Sequence, residues 1–383
     1  MKSLAPFRLP DPVGGPVDVL IIAGEHSGDE QAARVVRELR AKRPGLNIAA
    51  LGGPELARAG AQLLHDLTAS SVVGLVEVLK NYPFFKALFD ETLRWIAEHR
   101  PRAVCFVDYP GFNLRLAAQL RERGLSVKGG GKIQALFYIS PQIWAWKAKR
   151  RFTMARDLDA LAAIFPFEPA CYADTTLPVE FVGHPFVGAD YVSPVRYDPA
   201  GPVLLLPGSR TQAVERIFPV LLAAYAQWKQ RPAVVLYPSE EVKAVLEAEL
   251  AKHAPIPQLT LARTGGQLAA SAVLTSSGTM SLHCALAGLP GAIAYRTNPI
   301  TYLLARWWVK LDYIGIANLL LKEPLYPEFI QGAAKPASLA AELEVCVNDP
   351  GRRQRTAEQA ARVRALLSQP TGGSAADWLA RHL

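Results

Sequence analysis

The sequence predicts an α/β protein of two successive doubly wound parallel sheets with a helical C-terminal segment. Three observations predict this. Short apolar runs alternate with amphipathic stretches of helical period along most of the chain. The apolar runs are continuous, as strands covered on both faces are. The alternation lapses in the Gly-, Pro- and Tyr-rich stretch after Gly183–Phe186 and then begins afresh.

The first central strand is VDVLIIAG, Val17–Gly24, ending in glycine. In the following SGDEQAARVVRELRAKRPG, Ser27 is expected to cap a helix with Glu30 three residues on. Val35, Val36 and Leu39 form its buried stripe, and Pro44-Gly45 stops it. Further strands are expected at 48–51, 103–107, 133–138, 161–165 and 179–182, and helices at 84–99, 114–123 and 145–156. The second set reads strand 203–206, helix 213–229, strand 234–237, helix 240–253, strands 258–261 and 271–275, helix 280–287 and strand 292–295. These give a Rossmann-like domain at 17–185, a second at 200–337 and a helical segment at 338–383.

Composition narrows the class. With 383 residues, half of them hydrophobic and a fifth charged, the chain is globular; disorder, collagen and coiled coil fit poorly. The net charge of +8 is concentrated: residues 101–150 hold nine bases against two acids, and 351–383 hold six against two. Such blocks suit anionic partners. The four cysteines, Cys105, Cys171, Cys284 and Cys346, lie far apart without CxxC spacing, and three of them have the apolar surroundings of buried free thiols, which suits a reducing cytoplasm. The N-terminal residues lack the apolar core of a signal peptide. The 264–295 stretch has no Asp, Glu, Lys or Arg, yet Ser, Thr, Gly, Gln and Pro interrupt it, so it reads as buried strands and turns rather than a membrane span.

In an open parallel sheet, ligands bind beyond the carboxyl ends of the strands. There Gly24-Glu25-His26-Ser27-Gly28-Asp29 leads into a helix, without the GxGxxG or GKS/T pattern of a dinucleotide or P-loop site. Asp108 ends the strand AVCFVD, where a partly desolvated carboxylate suits a general base as well as a helix cap. LLLPGSR (Leu204–Arg210) and TSSGTMSL (Thr275–Leu282) each set a glycine turn before a helix, and residues 251–300 hold three bases and no acid. Backbone N–H groups, helix dipoles and the Arg210 guanidinium there suit a nucleotide diphosphate. No His/Asp/Cys cluster has metal-ligand spacing. Tyr82–Phe89, near Val76, Val78 and Leu79, and the pairs Trp144/Trp146 and Trp307/Trp308 beside Lys147, Lys149, Arg150 and Arg306 suit a lipid headgroup interface or a buried core. No nucleic-acid motif accompanies them, and nucleic acid is not expected as a partner.

Together the motifs AGEHSGD, GGPELARAG, GLVEVLK, VDYPGFN, YISPQIWAWK, FPFEPACY, FVGHP, LLPGSR, SSGT, AYRTNP and NLLL, in this order between Val17 and Gln331, resemble the lipid-A-disaccharide synthases. These are inverting glycosyltransferases of the GT-B fold, with two Rossmann-like domains facing a cleft and no cofactor or metal. The resemblance implies UDP-2,3-diacylglucosamine as donor and 2,3-diacylglucosamine 1-phosphate as acceptor, giving a β-1,6 disaccharide and UDP. It implies Asp108 as base on the acceptor 6-hydroxyl and Glu25 as a second catalytic carboxylate, with Gly24, Ser27 and Asn113 in the acceptor loops. Ser209, Arg210, Ser277, Gly278, Thr279, His283 and Asn318 fall on the UDP side. Val76, Val78, Leu79, Phe84 and Phe85 become a patch for acyl chains or membrane, on a cytoplasmic protein peripheral to the inner membrane. A C-terminal homodimer is left open.

Four positions depart from the family pattern: Gly111 replaces an aspartate, Lys147 an arginine, His283 a glutamate, and His26 a small residue. They are expected to alter acyl or sugar preference. Two other readings remain at this point: another GT-B enzyme acting on a UDP-N-acetylhexosamine, and a catalytically reduced lipid- or nucleotide-binding protein.

Overall fold

The computed structural model describes residues 7–70, 82–188, 190–298, 302 and 311–383. The chain forms two compact units, one of Met1–Pro185 with Gln369–Leu383 and one of Phe186–Ser368.

The first unit carries β1 (Val19–Ala23), α1 (His26–Lys42), β2 (Ile48–Gly52), α2 (Pro54–Arg58), β3 (Gln62–Asp66), α3 (Tyr82–His99), β4 (Ala103–Val107), α4 (Pro110–Glu122), β5 (Gln134–Tyr138), α5 (Arg150–Asp157), β6 (Ala160–Ala163) and β7 (Val179–Phe181). Its seven strands lie in the order β3-β2-β1-β4-β5-β6-β7, and every pairing is parallel. The two central strands β1 and β4 are buried along their whole length, which explains their continuous apolar runs. Leu20, Ile22, Val104, Phe106 and Phe137 pack with Trp95 of α3 and Leu116 of α4 in one core.

The second unit carries β8 (Val195–Tyr197), β9 (Val203–Leu206), α6 (Thr211–Trp228), β10 (Ala233–Tyr237), α7 (Glu240–Leu250), β11 (Leu259–Arg263), β12 (Leu268–Ala270), β13 (Ala272–Thr275), α8 (Thr279–Leu286), β14 (Gly291–Tyr295), α9 (Ile316–Leu321), β15 (Glu328–Ile330), α10 (Pro336–Asn348) and α11 (Pro350–Leu367). The main sheet runs β11-β10-β9-β13-β14-β15, and β8 pairs with β12 apart from it. Its core joins Val203, Leu205, Phe218, Val235, Leu274 and Leu343.

Renumbered within each sheet, both main sheets share the order 3-2-1-4-5-6, and the first adds a seventh strand at its edge. The chain starts at a central strand, winds to one edge, returns to the centre and winds to the other. The reversal falls between β1 and β4 in the first unit and between β9 and β13 in the second. These are the topological switch points, where loops part and leave a crevice at the strand ends.

Several elements differ from expectation. Helix α1 begins at His26 with Glu25 at the N-cap, so Ser27 lies inside the first turn and does not cap it. The helix expected from residue 145 begins only at Arg150, because Lys147 sits in the left-handed region (φ 53°) and interrupts helical geometry. The short elements α2, β8, β12, α9 and β15 carry too few residues for a periodic signal, and β3 (QLLHD) is mostly half-buried and lacks a continuous apolar run. The C-terminal residues, read as one helical segment, divide: α10 packs on α6, whereas α12 (Ala375–Arg381) packs on α1 of the first unit. Lys42 Nζ pairs with Asp377 at 2.5 Å, and a capping box at Ser374 starts α12. The uncharged 264–295 stretch becomes β12, β13, α8 and β14, and among the described residues no helix is long and apolar enough to cross a membrane.

Candidate active site

At the first switch point Ala23 of β1 pairs in register with Val107 of β4, so the next residues, Gly24-Glu25 and Asp108-Tyr109, are brought side by side. The second loop has an uncommon backbone. Asp108 (φ 46°) and Tyr109 (φ 50°) are consecutive left-handed residues, and neither is glycine. Each such residue costs of the order of 1–3 kcal/mol and persists only where its surroundings fix it. They do so here. The Asp108 amide donates to the Tyr138 carbonyl of β5 at 3.0 Å. The Asn113 amide donates to the Asp108 carbonyl at 2.8 Å and reaches those of Ile22 and Val107 at 3.3 and 3.4 Å. Pro110 then supplies a helix-ready φ at the start of α4.

Tyr109 fixes the neighbouring loop. Its ring lies so close to Gly24 that a Cβ there would stand 2.2 Å from Tyr109 Cδ1, so only glycine fits. Burial raises the Tyr109 phenol pKa above its ordinary value, and the Glu25 charge adds to the rise. The phenol therefore stays protonated at neutral pH. Asp108 and Glu25 are half-buried, and Ser27 and His26 are exposed on the first turn of α1.

Two polar residues in these motifs are structural. Asp29 is 1 % exposed and accepts from the amides of Gly53, Glu55 and Leu56 at 2.8, 2.9 and 3.3 Å, capping α2. It thereby ties AGEHSGD to GGPEL. Asn113, expected in the acceptor loop, is 0 % exposed and clamps backbone carbonyls instead.

At the second switch point Leu206 of β9 pairs with Thr275 of β13, and the Ser276 amide donates to the Leu206 carbonyl at 2.8 Å. Gly208 (φ 123°) brings its loop against Ser276 Oγ, 3.4 Å from where a Cβ would stand. Ser209 and Arg210 are exposed, with Arg210 at the N-cap of the 18-residue α6. Gly278 and Thr279 are exposed at the start of α8, and Ser277 is half-buried. Two helix N-termini and a guanidinium thus gather positive potential on adjacent loops.

His283, one turn along α8 from Thr279, stacks on Phe186 with ring centroids 3.9 Å apart and on Tyr191 at 5.6 Å. Its Nδ1 is hydrogen-bonded to the Tyr191 hydroxyl. Asn318, expected on the UDP side, is 0 % exposed. Its amide donates to the Tyr326 carbonyl at 2.7 Å and to Glu328 at 2.9 Å, and its oxygen accepts from the Tyr326 amide at 3.0 Å. It anchors α9 and has no ligand-facing surface. A side chain would fit at Gly111, where nothing lies within 4 Å of a Cβ.

Glu168, in the FPFEPACY stretch, was not singled out from sequence. It is buried, accepts from the Phe165 and Ile164 amides at 3.0 and 3.2 Å and from Trp144 Nε1 at 3.4 Å, and burial pushes its pKa up to about 7. The fold gathers Trp144, Phe165, Phe167 and His184 around it. A glutamate before proline in an aromatic run gives no hint of that enclosure.

Nearby, Trp146 (43 % exposed) carries Lys147 Nζ 4.4 Å above its ring, and Phe152 (48 % exposed) carries the Arg151 guanidinium at 4.3 Å. Of the expected apolar patch, Phe84 is exposed and Phe85 half-buried, while Val76, Val78 and Leu79 lie outside the described residues, as do Arg306, Trp307 and Trp308. Among the described residues no group of three or more His, Cys, Asp or Glu could hold a metal ion.

Comparison with known proteins agrees with the fold. The putative UDP-N-acetylglucosamine 2-epimerase of Listeria monocytogenes superposes with a TM-score of 0.60 at 10 % identity, over 94 % of this chain and 99 % of that one. The glycotransferase of kitacinnamycin gives 0.58 at 15 % identity over 96 % and 99 %. The calicheamicin glycosyltransferase CalG4 gives 0.55 at 16 % over 96 % and 98 %. The architecture is the GT-B one of two Rossmann-like units. Sequence comparison is more specific. Lipid-A-disaccharide synthase 1 of Legionella pneumophila is 35 % identical over 91 % of this chain and 93 % of its own, and the synthase of Geobacter sulfurreducens is 34 % identical over 93 % and 94 %. That of Trichlorobacter lovleyi is 35 % identical over 95 % and 96 %. The profile described as lipid-A-disaccharide synthetase matches residues 19–380, and the chain belongs to that family of glycosyltransferases.

Proposed function

We propose that the chain transfers 2,3-diacylglucosamine from its UDP derivative to the 6-hydroxyl of 2,3-diacylglucosamine 1-phosphate, with Asp108 as base and the Arg210 and Ser277–Thr279 loops holding UDP. The observation that carries this reading is the chemical contrast between equivalent positions of the two sheets. One switch point presents carboxylates, Asp108 and Glu25, and the other presents backbone amides, hydroxyls and a guanidinium.

Asp108 accepts the proton of the 6-hydroxyl as that oxygen attacks the anomeric carbon. The bond to UDP breaks on the opposite face, so configuration inverts and the β-1,6 linkage forms. The diphosphate leaves with the bonding electrons. Arg210 and the N-terminal amides of α6 and α8 stabilise the developing charge, the work a metal ion does in other transferases. His283, oriented by Tyr191, contributes a ring nitrogen where the family pattern has a carboxylate. Ser209 and Thr279 add hydroxyls, while Asn318 and Asn113 act by supporting loops. The acyl chains and the 1-phosphate call for an apolar and basic surface. Phe84, Phe85, Trp146, Phe152 and the neighbouring bases supply it on a protein peripheral to the cytoplasmic face of the inner membrane.

The test is direct: purified protein, both acylated substrates, and mass detection of the disaccharide, with and without EDTA. Disaccharide formation insensitive to EDTA is expected. Binding of the donor without product sinks the reading.

A further inference from the structure

We propose that Tyr109 is a positioning residue for the reaction: its ring sets the Gly24-Glu25 turn beside Asp108. The inference rests on the reading of Asp108 as base given above.

Two independent observations carry it. The first is the backbone. Two consecutive left-handed residues without glycine are unusual, and an aromatic residue has no local side-chain hydrogen bond to compensate, as Asp or Asn has. A turn that only had to end β4 and begin α4 has commoner solutions; this conformation is held by the Asn113 and Tyr138 contacts to Asp108. The second is the ring. Tyr109 packs on the first unit's core, stacks on Phe112 with centroids 6.1 Å apart, and leaves Gly24 no room for a Cβ. Its position therefore fixes where the backbone leaves β1, and with it Glu25. Positional restraint of this kind is worth large factors in rate.

A purely structural role predicts lost stability in proportion to lost packing. A positioning role predicts loss of turnover beyond the loss of stability, and rescue where the ring is kept. Tyr109→Phe keeps the ring and removes only the hydroxyl; kcat should stay within about twofold of wild type, with the thermal midpoint and UDP affinity unchanged. Tyr109→Ala removes the ring and should lower kcat by about a hundredfold with UDP affinity unchanged. Gly24→Ala should do comparable harm by colliding with the ring, and the double variant Gly24→Ala/Tyr109→Ala should be no worse than Tyr109→Ala alone, because the object of the collision is gone.

Three outcomes overturn the proposal in an active enzyme: kcat of Tyr109→Ala within about twofold of wild type, a fall in its thermal midpoint that accounts for its lost activity, or full multiplication of the two single effects in the double variant. An inactive wild-type protein instead overturns the reaction reading itself, so the two failures are distinguishable.

Discussion

The two switch points share a topology and solve opposite problems. Both place paired loops after two adjacent central strands, Ala23 beside Val107 in one sheet and Leu206 beside Thr275 in the other. In the first unit the loop is strained at non-glycine residues and its backbone polar groups are occupied: Asp108 binds Tyr138 through its amide and Asn113 through its carbonyl. What such a loop offers a ligand is side chains, chiefly Asp108, Glu25 and Tyr109. In the second unit the left-handed position falls on Gly208, Gly278 is open, and exposed residues begin two long or medium helices. What that loop pair offers is backbone N–H groups and a guanidinium. A carboxylate is useful only if held at one place, so rigidity is bought with strain; a diphosphate is large and symmetric enough to be met by several donors, so glycine serves.

The sharpest way to break the contrast is Asp108→Asn. If the first switch point does chemistry and the second binding, turnover falls by ~10²-fold or more while UDP affinity stays within about twofold of wild type. Full turnover removes Asp108 from the mechanism. Arg210→Ala is the reciprocal experiment: loss of a charge-assisted contact to the diphosphate should weaken UDP binding by ~10–100-fold in calorimetry. Unchanged affinity would leave the second switch point without its assigned ligand.

Glu168 sharpens the comparison from the stability side, since it is a carboxylate of the first unit that is enclosed rather than presented. Its folded pKa, about 7, lies above the ordinary 4.5, so the folded state holds the proton more tightly than the unfolded chain. Stability from this group is therefore fully present below pH 4.5 and is lost as pH rises through 7, by ~3 kcal/mol. Glu168→Gln should flatten the pH dependence of the unfolding midpoint across that window, and an unaltered slope would show that Glu168 does not titrate there. The smallest effect is expected at the surface. Lys147→Ala and Lys149→Ala should each weaken binding to anionic vesicles by roughly fivefold, about 1 kcal/mol per base, and less at high salt. Binding indifferent to these bases would leave the apolar residues as the anchor.

Much of this is legible in the sequence. The parallel strands, their helices, the lapse after Gly183–Phe186 and the loops carrying Asp108, Arg210 and Ser277 all follow from runs of about five to twenty residues. Burial on both faces writes itself into such runs as continuous hydrophobicity. The motif residues were harder to sort. Asp29, Asn113 and Asn318 sit in the same segments as Glu25, Asp108 and Arg210, and nothing local separates them.

By itself the sequence determined the α/β class, the two successive sheets, and the resemblance that family membership then established. Tertiary structure alone decided which polar residues are spent on the scaffold. Asp29 is consumed by α2, 24 residues away, Asn113 by the ends of two strands, and Asn318 by the chain before β15. It also decided that the last helix returns to the first unit, and that Tyr109 dictates glycine at position 24. The reason is physical: hydrophobic periodicity is a property of neighbours in sequence, whereas hydrogen-bond satisfaction and steric exclusion are properties of neighbours in space.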